Sequence, residues 1–288
     1  MKSVKKFFTQ QPMLVITGIV FLVVLMLLIS AFSGTKNLRV VFLDVGQGDA
    51  LLITTPHGRQ VLVDAGPSNT LGQTIAPHMP VSDRSLDLVI LTHPDLDHVG
   101  GMVSLVDRYD IGMVMHSGLL AGSPVYAAIA ERIRQKNIPT MSAEAGQVIT
   151  LEPGVILEIY SPYPSFESLE PNDYSIVARL VYGTTSVMLT GDATKQIELE
   201  VTETFGDRLQ SDILKVGHHG SQTSTSDPFV EAVSPQYAVL SYGCNNRFGH
   251  PHGEVLATLF SHQIELYDTC NDGDVVFESD GEEWFIKK

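Results

Sequence analysis

The feature that most constrains this chain is a short apolar run that ends in a cluster of metal-ligand side chains. The run, Asp87–Thr92, predicts a buried strand. Four potential ligands follow it within six residues: His93, Asp95, Asp97 and His98. Loops at strand ends are where a rigid sheet aims side chains at one point. Imidazole and carboxylate ligands favour Zn or Mn, and the lack of thiolates argues against a structural zinc site. A polar loop with a helix cap is the alternative interpretation.

Two later apolar runs end in side chains of the same chemistry. Val187–Leu189 leads into Asp192, whose carboxylate at a strand tip can bridge two cations, although alone it would cap the next helix. Ile213–Val216 leads into His218 and His219, which we interpret as a metal ligand and a proton carrier. Adjacent histidines by themselves are weak evidence. Three strand-end clusters of one chemistry predict a shared metal site.

Runs rich in β-branched residues alternate with helical ones along the rest of the chain. Predicted strands are Leu38–Val45, Ala50–Thr55, Gln60–Asp64, Asp87–Thr92, Val155–Tyr160, Ile176–Val181, Ser186–Leu189, Asp212–Val216 and Tyr237–Ser241, with a closing hairpin of Asp274–Glu278 and Glu283–Ile286. Predicted helices are Gly100–Tyr109, Ser123–Lys136, Ala193–Phe205, Pro228–Val233 and Glu254–Ser261. This order predicts an α/β fold of two face-to-face sheets with helices outside, in one domain over residues 37–288.

The N-terminus has the pattern of a membrane-targeting segment. Lysines within residues 1–12 precede an uncharged apolar run, Met13–Phe32. A run of this length can cross a bilayer, and the preceding lysines favour a cytoplasmic N-terminus. We favour a signal anchor over residues 13–32, with a signal peptide cleaved after Ser33 as the alternative. Either interpretation predicts that the remainder lies outside the cytoplasm, tethered to the membrane or secreted.

Charge and cysteine content bound the function further. The net charge of −15 argues against a large electrostatic nucleic-acid footprint, but it does not exclude a nuclease, because bound cations would reverse the local sign. The two cysteines, Cys244 and Cys270, are too few for a disulfide framework. They could pair with each other in an exported domain or remain as unpaired thiols.

The order of these motifs resembles the metallo-β-lactamase superfamily, and within it the C-terminal domain of ComEC-type DNA-uptake proteins. The matching segments are Leu43–Ala50, Leu62–Gly66, His93–Gly101, Asn172 with Ser175, Leu189–Asp192, Lys215–Ser221 and Asn246–Pro251. The resemblance covers nearly everything after the apolar run. It implies a four-layer αβ/βα sandwich and a metal-dependent hydrolase with two divalent cations, Zn or Mn.

The chain departs from the commoner superfamily pattern at two points. Asp95 stands where that pattern has a histidine, and the additional histidine usually found before the bridging aspartate is not evident. The resemblance therefore implies a weaker or differently coordinated site at His93 and Asp95. It implies a better-defined site formed by Asp97 and His98 with Asp192 and His218.

These residues predict hydrolysis of a phosphodiester, including single-stranded DNA, by water that the cations activate. Asp97 and Asp192 would hold that water, and His219 or His250 would protonate the leaving oxygen. Asp64 would orient a ligand histidine from the second shell. Two other function classes remain open from the sequence. One is a hydrolase of another ester, such as a cell-wall phosphoester or a lactone, and the other is an inactive accessory binding protein.

Overall fold

In the computed structural model, residues 16–26, 37–118, 124–163 and 170–287 are described. Residues 16–26, inside the predicted span 13–32, are helical (α1). Across the described ranges, every helix falls short of the length and apolarity needed to span a bilayer. The predicted segment 1–12 and the two ends of the predicted span lie outside the described residues.

The remaining elements alternate much as the sequence predicts. The strands are β1 Leu38–Phe42, β2 Leu51–Thr54, β3 Gln60–Val63, β4 Ser85–Leu86, β5 Leu88–Leu91, β6 Asp110–Ile111, β7 Val114–His116, β8 Thr140–Ser142, β9 Val148–Glu152, β10 Val155–Ser161, β11 Val177–Tyr182, β12 Thr185–Leu189, β13 Ile213–Lys215, β14 Tyr237–Leu240, β15 Glu265–Asp268, β16 Val275–Ser279 and β17 Trp284–Lys287. The further helices are α2 Leu71–Ile75, α3 Leu96–Val99, α4 Met102–Arg108, α5 Pro124–Gln135, α6 Lys195–Phe205, α7 Asp227–Val233, α8 Gly253–Ser261 and α9 Thr269–Asp272. Short 3₁₀ turns lie at Ala76–His78, Pro171–Tyr174, Gly206–Leu209 and Gly217–Gly220.

Two mixed sheets form the centre of the fold. The first has the order β17-β16-β1-β2-β3-β5-β7-β8, and the second has the order β15-β14-β13-β12-β11-β10-β9. In the first sheet, β3, β5, β7 and β8 run parallel. In the second, β12, β13, β14 and β15 run parallel. The predicted closing hairpin is present as β16 and β17, and β16 returns to pair with β1.

The side-chain alternation along the strands sets the layers. On β1, Val40 and Phe42 point into a core shared with the second sheet, while Val41 packs under the helices of its own half. Helices α2, α4 and α5 cover the outer face of the first sheet, and α6, α7 and α8 cover that of the second. Burial on both faces is why central strands such as β5 are apolar throughout, since each buried aliphatic side chain contributes about 1.5–3 kcal/mol. The predicted α/β class with two facing sheets and outer helices is confirmed.

Candidate metal centre

The strand-end side chains meet where the carboxyl ends of the parallel strands from both sheets converge. Asp64 follows β3, and the segment from His93 to His98 follows β5. On the other sheet, Asp192 follows β12 and the pair His218–His219 follows β13. The fold thus gathers side chains that are more than 150 positions apart in the chain at one edge of the sandwich.

Four buried side chains form the centre of this group. One ligand atom from each lies within 4.8 Å of all the others in the set Asp49, His98, Asp192 and His219. Nε2 of His98 lies 3.3 Å from Asp192 Oδ1, and Nε2 of His219 lies 3.5 Å from Asp192 Oδ2. Asp192 therefore stands between two imidazoles, as a bridging carboxylate would.

Several imidazole and carboxylate atoms in and beside this cluster are buried without a well-aligned hydrogen-bond partner among the described residues. They are Nε2 of His93, His98 and His219, and Oδ1 of Asp192. Burying a polar atom without a partner costs free energy, and native proteins rarely leave such atoms clustered. Imidazole nitrogens and carboxylate oxygens that converge in this way fit a divalent cation of the Zn or Mn type.

Asp64 holds the ring of His98 in place. One carboxylate oxygen lies 2.8 Å from His98 Nδ1 and also accepts from the Thr92 hydroxyl at 2.7 Å. The other oxygen accepts from the Thr92 backbone N–H at 2.9 Å. With Nδ1 committed to Asp64, Nε2 of His98 is left to face the centre, which is the arrangement by which outer carboxylates orient histidine ligands.

Asp49 and Lys215 were not assigned to the site from the sequence. Asp49 precedes β2, and its backbone N–H donates to Asp97 O at 3.1 Å, which ties it to the ligand loop. The approach is close: a Cβ added to Gly48 would lie 2.3 Å from Asp97 O. The buried ammonium of Lys215 contacts Asp49 Oδ2 and donates to Gly191 O at 3.1 Å. Two sequence signals pointed toward this contact: Gly46 and Gly48 before Asp49, and the resemblance of Leu43–Ala50 to the family pattern.

The two adjacent histidines diverge because both adopt left-handed backbone angles, with φ of 48° at His218 and 55° at His219. His219 turns inward, where Nδ1 is 2.9 Å from Ser241 O and Nε2 is 3.4 Å from Asp97 Oδ2. His218 is partly exposed, with Nδ1 at 2.9 Å from Thr223 Oγ1 and Nε2 at 3.7 Å from Asp192 Oδ2. The geometry thus places His219 inside the four-residue cluster and His218 at its rim.

The remaining predicted ligands also lie at the rim of the cluster. Nε2 of buried His93 is 3.8 Å from Asp95 Oδ2 and 3.9 Å from Asp192 Oδ2. Side-chain exposure is 48% at Asp95 and 32% at Asp97, so both carboxylates reach solvent at the mouth of the site. His93 and His218 therefore both face the second oxygen of Asp192, and Asp95 lies beside His93.

The electrostatics of the cluster follow from these contacts. Burial opposes charge on His219, but the carboxylates of Asp192 and Asp49 raise its pKa to about 10. Burial likewise opposes charge on His98, and Asp192 and Asp64 raise its pKa well above the usual range. Burial, and then the charge on His98, lower the pKa of His93 to about 3. The negative charges of the buried carboxylates are thus balanced by positive charges on His98, His219 and Lys215.

His250 lies over the mouth of the site. Its ring centroid is 5.7 Å from that of His218 and 6.3 Å from that of His219. Burial and then the neighbouring His218 lower its pKa to about 4. Its Nδ1 is buried and has no hydrogen-bond partner among the described residues. The predicted proton carrier His250 is therefore close to the cluster but outside it.

Comparisons with known proteins agree with this geometry. The family model described as "Metallo-beta-lactamase superfamily" matches residues 43–243. The chain is 29% identical to ComE operon protein 3 of Bacillus subtilis over 92% of its own length and 36% of the relative. It is 32% identical to competence protein ComA of Neisseria gonorrhoeae over 81% of its length and 31% of the relative. The chain thus spans about a third of the length of these curated relatives.

A solved structure shares the fold at low sequence identity. Igni18, a metallo hydrolase from Ignicoccus hospitalis, superposes with a TM-score of 0.53 at 14% sequence identity. The match covers 84% of this chain and 99% of Igni18. At this identity the likeness shows the fold alone.

Proposed function

This chain belongs to the metallo-β-lactamase superfamily, as a ComEC-type domain, and from that membership we propose that it is a metal-dependent phosphodiesterase that cleaves single-stranded nucleic acid. The observation that carries the proposal is the convergence of buried ligand atoms from Asp49, His98, Asp192 and His219. Relatives named for competence favour a nucleic-acid substrate over other esters.

The chain's own residues divide into those that hold a cation and those that face substrate. Asp49, His98, Asp192 and His219 would hold one cation, with Asp97 beside His219. His93, Asp95 and His218 would complete a second position. A divalent cation bound there supplies Lewis-acid polarisation and lowers the pKa of water. Asp64 fixes His98, and Lys215 holds Asp49 in place by an ion pair.

His250 is the side chain to which we assign a hydrogen bond to the leaving oxygen. It lies at the solvent side of His218 and His219 and makes no hydrogen bond through Nδ1 to the described residues. Because its pKa is lowered to about 4, the imidazole is neutral near pH 7 and keeps one ring N–H that can donate a hydrogen bond to that oxygen. The departing oxygen then takes its proton from solvent, which reaches the mouth of the site.

The test compares substrates and metals on the full chain. Metal-stripped protein is reloaded with Mn²⁺ or Zn²⁺ and assayed on single-stranded DNA, duplex DNA, methyl 4-nitrophenyl phosphate and a lactone panel. We expect cleavage of single-stranded DNA and of the small phosphodiester, and little turnover of lactones. Turnover confined to lactones would refute the phosphodiester assignment.

A matched pair of histidine variants tests the centre itself. His98→Ala removes a central ligand, so metal affinity and activity should each fall by more than the roughly 100-fold that loss of a residue supporting a ligand costs. His262→Ala removes a histidine that contacts Asp227 at 2.9 Å, outside the centre, and should keep both. Equal metal content in the two variants would refute the assignment of His98 to the metal centre.

We also propose that the domain works outside the cytoplasm, tethered or released by its N-terminal segment. Cys244 and Cys270 form a disulfide with a Cα–Cα distance of 5.0 Å, and such bonds persist mainly in oxidising compartments. Acid-quenched cells probed with a thiol-reactive reagent should label neither cysteine until a reductant is added. Free thiols on both residues in the untreated sample would refute the proposed location.

A further inference from the structure

A loop next to the centre presents an aromatic ring to solvent. The aromatic loop, residues 243–252, connects β14 to α8 and carries His250 at the mouth of the site. Within it Phe248 is 48% exposed, and Arg247 before it is exposed as well. The guanidinium of Arg247 lies 5.1 Å from the centroid of the Phe248 ring.

The aromatic loop is held in one shape by its own polar contacts. The side chain of Asn246 donates to Gly243 O at 2.9 Å and to His250 O at 2.8 Å. Its oxygen accepts from the backbone N–H of Phe248 at 3.1 Å and of His250 at 3.0 Å. The side-chain amide of Asn246 thus forms hydrogen bonds with four backbone groups, and the Phe248 ring remains exposed to solvent.

The base of the aromatic loop is fastened to the rest of the domain. The disulfide joins Cys244 to Cys270, and Gly243 N donates to Gln47 Oε1 at 3.2 Å. At the other end, His252 N donates to Gly220 O at 2.9 Å, directly after the histidine pair. The loop is therefore preorganised relative to the centre, so exposure of Phe248 is a fixed property of the site's surroundings.

The rings form a continuous series from the centre to solvent. The His250 centroid is 6.3 Å from that of His219, and the Phe248 centroid is 5.5 Å from that of His250, with 22° between the latter ring planes. A phosphodiester cleaved beside His219 and His250 would therefore place the attached nucleoside near Phe248.

The charge of the chain makes such a contact valuable. Proteins that bind nucleic acid through phosphates need many lysines and arginines, and this chain has a net charge of −15. Stacking of bases on aromatic rings supplies affinity that does not depend on net charge and tolerates any base sequence. A base must leave its duplex neighbours to stack in this way, which favours a single strand.

From these contacts we propose that Phe248, flanked by Arg247, is a stacking platform for the nucleobase next to the scissile phosphate. This proposal rests on the phosphodiesterase function proposed above and adds to it the feature that selects unpaired nucleotides. Phe248 holds the base, and Arg247 pairs with the neighbouring phosphate when the base replaces it over the ring.

The experiment uses the full chain loaded with Mn²⁺ and short single-stranded oligonucleotides with one phosphodiester among phosphorothioate linkages. A second set lacks the base on one side or the other of that linkage. Phe248→Ala should raise KM on the intact oligonucleotide by about 5- to 150-fold, the range for loss of one base–aromatic stack. On the matching abasic oligonucleotide it should change KM little, and Phe248→Trp should restore tight binding.

Phe260→Ala is the matched control, because Phe260 is 64% exposed on α8 without contributing to the aromatic loop. An unchanged KM for Phe248→Ala, or an equal loss on intact and abasic substrates, would overturn the platform. If wild type and Phe248→Ala cleave the intact oligonucleotide with the same KM, the platform alone fails. If methyl 4-nitrophenyl phosphate is cleaved and no oligonucleotide is, the nucleic-acid substrate of the proposed function fails together with the platform. If no phosphodiester is cleaved by any variant, the proposed function fails and the platform with it.

Discussion

Replacing Asp64 by asparagine should weaken metal binding at His98 while leaving the fold intact. Asparagine has nearly the same shape, and it tolerates the left-handed backbone that Asp64 adopts, with φ of 57°. The substitution places an amide N–H where His98 Nδ1 needs an acceptor, 2.8 Å away. Nδ1 must then accept, and the remaining ring proton moves to Nε2, the nitrogen that faces Asp192 at 3.3 Å.

The surrounding contacts limit the damage to the fold. The retained oxygen of residue 64 can still accept from the Thr92 backbone N–H, and the Thr92 hydroxyl can turn toward His93 Nδ1, 3.1 Å away. The cost should therefore appear in metal binding, where loss of an outer carboxylate lowers affinity by about 10- to 100-fold, or roughly 1.4–2.7 kcal/mol.

Competition against a chromophoric chelator measures the affinity. Nitrogen NMR of the histidine-labelled, Zn²⁺-loaded protein reports which ring nitrogen of His98 carries the proton. Asp274→Asn is the control, since Asp274 makes the same kind of contact at 2.7 Å to His78 Nε2, outside the centre. Wild-type affinity together with an unmoved proton in Asp64→Asn would show that Asp64 does not orient His98.

Three further outcomes are expected. Lys215→Met leaves the buried Asp49 carboxylate without its cation, so urea titration of the metal-free protein should show a loss of about 3–5 kcal/mol in the free energy of unfolding; a loss below about 1 kcal/mol would contradict the ion pair. Gly48→Ala should lower both stability and metal affinity, because the new Cβ meets Asp97 O. Gly58→Ala shares only the positive φ, so it should lower the free energy of unfolding by about 1–3 kcal/mol and leave metal affinity unchanged. Equal metal affinity in the two variants would refute the close contact. Burial raises the pKa of Glu198 to about 7 from its usual 4.5. The stability from its protonated form is therefore fully present below pH 4.5 and is lost as pH rises through 7, by about 3 kcal/mol. Urea titrations across this range should show a smaller fall in the free energy of unfolding for Glu198→Gln than for wild type, and an identical fall in both would count against the shift.

The sequence predicted the strands and helices that carry the site because their patterns are local. The strand before His93 is apolar throughout, and the strand before Asp192 ends in the apolar run Val187–Leu189. Both strands are buried on both faces. The order of strands within each sheet depends on long-range pairing, such as the return of β16 to β1, which no local pattern contains. Short partly exposed strands such as β8 also give little signal.

The site was only partly predictable for related reasons. His93, Asp97, His98 and Asp192 follow apolar runs, so their convergence could be anticipated from the strand ends. Asp49 instead precedes its strand, and its place in the centre depends on the packing of Gly48 against Asp97. Lys215 ends a buried strand, and although Lys215–Ser221 matches the family pattern, the sequence does not show that its ammonium contacts Asp49. Which of the paired histidines turns inward depends on their left-handed backbone, which side-chain spacing does not reveal.

The ligand set is divided between the two sheets, since Asp49 and His98 belong to the first and Asp192 and His219 to the second. Neither half of the chain carries all four donors of this set by itself. The complete site therefore forms only after both halves have docked, and a bound ion would oppose their separation. Metal uptake during refolding should accordingly lag behind formation of either sheet and coincide with closure of the sandwich.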